Sequence, residues 1–153
     1  MSRSEKRADR LDRTNRRDAA AENGGHGPGR LLVAVYAVFA IAATARGLFQ
    51  ILTKFGEAPL AYVLSLVAGL VYIVVTVALA RRGERWRRIA TAALVVELLG
   101  VLVIGTFSLV APGDFPHDTV WSVYGRGYLF IPLVLPVLGL WWVRRRAADG
   151  RSL

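Results

Sequence analysis

The sequence predicts an all-α, polytopic membrane protein with four transmembrane helices and both termini cytoplasmic. Three observations carry that expectation. Of 153 residues, 54% are apolar and only 20% are charged, whereas an ordinary soluble domain has roughly 45–50% and about a quarter. The apolar residues form four long stretches, 31–52, 60–80, 89–110 and 125–143. Each is close to the roughly 20 residues that cross a hydrocarbon core about 30 Å thick. A soluble chain of this length could not bury four such helices. Finally, eight Lys and Arg residues lie in 1–30, five in 81–88 and four in 144–151. In a four-span chain these clusters share one side, which the positive-inside rule makes cytoplasmic. The connecting segments on the other side hold only Lys54, against Glu57, Asp114 and Asp118.

The net charge of +9 and the pI near 11.0 also invite a nucleic-acid reading. That reading needs a folded basic face with side chains that stack on or read bases, and residues 1–29 contain no aromatic at all. The charge therefore records orientation, and no nucleic-acid partner is expected. The absence of cysteine excludes disulfides, thiol redox chemistry and cysteine-ligated clusters.

Residues 1–29 mix seven basic with five acidic residues and end in a Gly- and Pro-rich run. They cannot bury a core and read as a disordered or transiently helical cytoplasmic tail. The four-helix domain then covers 30–146, and 147–153 form a second short tail. The bilayer is the expected partner; attraction of the basic rim to anionic lipids is the alternative reading of the tail, weakened by its interspersed acids. Ala43-Thr44-Ala45 imitates a signal-peptidase site, but the apolar run continues through Leu52, so the first span is expected to stay uncleaved.

Ionisable groups inside a membrane are costly and face the bundle interior or a watered cavity. At about 1.5 Å per residue from the cytoplasmic edges, Arg46 lies about 22 Å deep, Glu97 about 12 Å and Arg126 about 25 Å. Ser65 falls near the level of Arg46, and Tyr72 near that of Glu97. These four, Arg46, Ser65, Tyr72 and Glu97, form a candidate intramembrane polar site. Helical Cα–Cβ bonds tilt toward the helix N-terminus, so Arg46 leans into the membrane while Arg126 leans outward and can snorkel. A Tyr72–Glu97 hydrogen bond fits these levels better than an Arg46–Glu97 salt bridge. Glu97 reads either as a carboxyl satisfied by packing or as a proton-exchanging transport residue. Gly69, Gly100, Gly105 and Ser108 recur at helical spacing and suit close helix approach.

The outer connection Pro112-Gly113-Asp114-Phe115-Pro116-His117-Asp118-Thr119 is rich in turn residues. Asp118 or Thr119 is a candidate cap for the fourth helix. Glu57, His117, Asp118 and Arg126 form a candidate outer-face polar cluster, whose alternative chemistry is cation binding or acid–base work on lipid-linked substrates. Pro132 and Pro136 predict a kinked fourth span. Trp141 and Trp142 before Arg144-Arg145-Arg146 predict an interfacial anchor.

No Walker loop, HExxH or strand–glycine–helix pattern occurs, so no enzyme, no catalytic or metal residue and no cofactor is expected. The segments Ala45-Arg46-Gly47, Glu57-Ala58-Pro59-Leu60-Ala61-Tyr62, Phe115-Pro116-His117-Asp118-Thr119-Val120-Trp121-Ser122 and Pro132-Leu133-Val134-Leu135-Pro136 resemble small, uncharacterised integral membrane proteins of high-GC actinobacteria. That resemblance spans approximately residues 30–146 and implies a plasma-membrane location with four helices, but no functional residue. The four-span size is also similar to small multidrug-resistance transporters. Those carry their essential Glu in the first span, where this chain has Arg46. The leading expectation is a non-enzymatic accessory or assembly component with a membrane-protein partner or a second copy of itself. The alternative is a small oligomeric proton-linked transporter using Glu97 and Arg46.

Overall fold

The computed structural model describes residues 7, 10–16, 27–114 and 117–149. Most of the 1–29 tail, and the end of the 147–153 tail, lie outside the described residues. Within the former, 10–16 form a short helix closed by an Arg16–Asp12 ion pair at 3.0 Å.

Four helices follow in order: α1, Gly27–Lys54; α2, Pro59–Ala80; α3, Glu84–Val110; and α4, Ile131–Asp149. Short 3-10 turns at Pro112–Asp114 and Ser122–Tyr128 occupy the α3–α4 connection. No strand occurs among the described residues. Helices α1, α2 and α3 are each long and apolar enough to cross a membrane. The short links 55–58 and 81–83 make consecutive helices antiparallel. The end of α2, the start of α3 and the end of α4 therefore share one end of the bundle, the arginine-rich end.

The helices form for ordinary reasons. Pro59 opens α2, where a missing N–H costs nothing. Gly83, at φ +112°, turns the chain from α2 into α3. Small residues bring the helices together: a Cβ added at Gly69 would lie 2.8 Å from the Thr44 backbone nitrogen on α1. The core gathers Tyr36, Tyr72, Val75, Leu94 and Val101, none more than 1% exposed. Outward faces remain apolar, as at Val38, Ile41, Phe49 and Leu52 of α1, which suits contact with lipid.

The fourth element departs from the expected span 125–143. α4 begins only at Ile131, and the 3-10 segment before it meets it at 99°. Val123, Tyr124 and Gly125 are left-handed, at φ 47°, 58° and 80°, a conformation glycine adopts freely and Val or Tyr does not. Pro132 then sits in the first turn of α4, where its missing donor is tolerated. From Ile131 to Val143 the apolar part of α4 is only about 20 Å long. The Ser122–Tyr128 segment and α4 together reach spanning length and apolarity, with the 99° bend of a broken span or a re-entrant loop.

Candidate functional site

Polar residues inside the bundle occupy three successive stations. The deepest is Glu97, 0% exposed on α3. Tyr36 on α1 donates its hydroxyl proton to Glu97 Oε2 at 2.8 Å, while Oε1 has no partner. Tyr72 does not take the role expected of it. Its hydroxyl instead accepts the Trp121 indole N–H at 3.1 Å. The cause is side-chain direction. α2 runs toward the arginine-rich end, so the Tyr72 Cα–Cβ bond tilts away from that end, whereas that of Glu97 tilts toward it. Tyr36 was the residue to find. It lies about 8 Å along its helix from position 31, against about 12 Å for Glu97 from position 89, which is within one turn.

The second station is the segment that carries Trp121. The Thr119 hydroxyl accepts from the backbone N–H groups of Trp121 (3.1 Å) and Ser122 (2.9 Å). The predicted cap at Thr119 thus closes the 3-10 segment rather than α4. The Trp121 ring lies in the notch left by Gly100, where an added Cβ would come within 2.7 Å of it. Tyr124 fills the corresponding notch at Gly105, and its hydroxyl pairs with Thr106 at 2.9 Å. Ser108 Oγ accepts the Val123 N–H at 2.8 Å. These contacts hold the left-handed turn against α3.

The third station opens at the end opposite the arginines. Arg46 Nη1 donates to the Tyr128 hydroxyl at 2.6 Å. Arg46, Asp118, Ser122, Arg126 and Tyr128 line a cavity of about 190 Å³. Beside it, Glu57 Oε2 meets His117 Nε2 at 3.5 Å, the Tyr62 hydroxyl at 3.4 Å and Lys54 Nζ at 3.9 Å. The Tyr62 and His117 rings stack, with centroids 5.9 Å apart. This group ties the α1–α2 link to the α3–α4 connection.

The proposed intramembrane set is brought together only in part: the Tyr72 ring packs on that of Tyr36, with centroids 6.1 Å apart, and so stays beside Glu97 without bonding it. Arg46 belongs to the opposite-end cavity, Tyr72 to Trp121 and Glu97 to Tyr36. Ser65 is buried but bonds back to Ala61 O of its own helix at 2.9 Å. The outer-face set divides in two, with Glu57 and His117 in the clasp and Asp118 and Arg126 around the cavity. Among the described residues no group of three or more His, Asp or Glu side chains could hold a metal ion.

Fold and site together define an all-α chain with three to four apolar helices of membrane-spanning length, the pattern of a multi-pass membrane protein. No protein-family model matches the chain, and no curated protein or solved structure matches it.

Proposed function

We propose that this chain is a multi-pass plasma-membrane protein with both termini cytoplasmic, acting as a non-enzymatic accessory or assembly component. The observation that supports this reading is that the interior polar side chains bond to packing neighbours, although Glu97 Oε1, Thr44 Oγ1 and Gln50 Oε1 keep no partner. Glu97 is engaged by Tyr36, Tyr72 by Trp121 and Ser65 by its own helix. The Trp121–Tyr124 segment is wedged against the glycines of α3. The outward apolar faces of α1 to α3 then remain for lipid, for a partner helix or for a second copy.

The alternative, proton-linked transport through Glu97 and Arg46, asks two residues with separate partners to serve one path. Reconstitution discriminates the two readings. The accessory reading predicts that proteoliposomes show no pH-driven uptake above empty vesicles, and that blue-native gels of native membranes show a complex heavier than the purified chain. Uptake that Glu97→Gln abolishes would overturn it.

A further inference from the structure

At the arginine-rich end a cleft of about 570 Å³ lies between the end of α2, the start of α3 and the end of α4. Its rim carries Arg81, Arg87 and Arg146, and among the described residues its one carboxylate is Glu84. Three guanidinium groups against one carboxylate leave the lining with a net charge of +2. Glu84 is moreover already engaged, by Arg87 and, at 2.9 Å, by Arg88. The Arg82 guanidinium is near enough to Arg146 to repel it. Among the described residues, the side chains lining the cleft thus leave a net positive charge.

The arginines are also held in place. Arg146 lies over the Trp142 ring, 3.9 Å from its centroid, and Arg81 over Trp86 at 4.8 Å. A guanidinium stacked on a ring keeps its N–H edge free for an anion. The start of α3 adds backbone donors, because its Gly83 cap supplies no side-chain hydrogen bond. Behind the rim the wall is apolar, made by Leu79, Ala90 and Val143. A second cavity of about 440 Å³ shares Arg87, Val143 and Ala147 and adds Arg88 and Arg144, with no carboxylate among the described residues.

We infer that this cleft binds an anionic phospholipid, its phosphate held by Arg81, Arg87 and Arg146 and its acyl chains lying along the apolar wall. The charge complementarity selects an anion. The apolar wall selects a lipid over free phosphate, as does the neighbouring Trp141–Arg145 pair at 4.0 Å, an interfacial anchor. Arg87 and Val143, common to both cavities, would lie between two phosphates if the lipid carries two.

The inference rests on the membrane reading above, and its test separates the two. The full chain, purified in mild detergent, is mixed with phosphatidylglycerol, phosphatidylcholine or inorganic phosphate and examined by native mass spectrometry. Phosphatidylglycerol should be retained about tenfold more than phosphatidylcholine. Excess inorganic phosphate should fail to displace it, and Arg81→Gln/Arg146→Gln should abolish the preference while Arg126→Gln, at the other end, keeps it. Equal retention of the two lipids overturns the site, a comparison that stands even if the double variant does not fold. Full displacement by inorganic phosphate overturns the lipid assignment. A chain that stays in solution without detergent overturns the membrane reading along with it.

Discussion

Glu97 shows how a single buried residue can be both costly and stable. Its carboxyl is wholly buried, yet only one of its oxygens has a partner. Leaving a buried polar group unsatisfied costs about 1–3 kcal/mol, so the Tyr36 hydroxyl is the bond that makes the arrangement tenable. Tyr36→Phe should therefore destabilise the bundle by about 1–3 kcal/mol. Glu97→Leu, which strands the Tyr36 hydroxyl instead, should also destabilise it. The double variant should lose less than the sum of the two, because neither group then lacks a partner it needs. Thermal melting of the four proteins in one detergent measures this. Strict additivity would mean that the two residues do not act as a pair. Tyr36 escaped notice in the sequence because a tyrosine inside an apolar stretch looks like packing. Only its level relative to Glu97, read together with side-chain direction, distinguishes it from Tyr72.

At the scale of the element, the bent segment before α4 has the most specific chemistry. Its turn places Val123, Tyr124 and Gly125 in the left-handed region, at a cost of about 1–2 kcal/mol for each non-glycine residue. Trp121 and Tyr124 offset that cost through their contacts with α2 and α3, and Ser108 of α3 through its bond to the Val123 N–H. Gly125 is needed twice over, for its φ of +80° and because a Cβ there would lie 2.8 Å from the Pro132 ring. Gly127, two residues on, has nothing within 4 Å of an added Cβ. Gly125→Ala should lower the melting temperature by several degrees, the size expected for about 1–3 kcal/mol in a chain of this length, and Gly127→Ala should leave it unchanged. Equal effects would contradict the turn geometry. The three long helices were legible from apolar run length and the arginine clusters. This turn was not, because Val123 and Tyr124 resist the conformation they adopt and only Gly125-Arg126-Gly127 hints at a break.

For the whole molecule, the distribution of charge organises everything else. Arginines far apart in sequence, Arg81 and Arg87 on one side and Arg146 on the other, converge on one cleft. Along the chain they mark only the ends of the apolar runs, since nothing in their spacing reveals that α4 returns to the start of α3. At the opposite end, Glu57, His117 and Tyr62 clasp the connections together, and Arg46 meets Tyr128. In the proposed topology these two ends face opposite sides of a membrane. The chain contains no cysteine, so single substitutions can be labelled without background. Gly113, with open space around it, and the exposed Arg85 are suitable positions. With a membrane-impermeant maleimide, Gly113→Cys should be labelled in intact cells and Arg85→Cys only after permeabilisation. Labelling of both in intact cells, or of Arg85→Cys alone, would contradict the topology on which the proposed function and the lipid site depend.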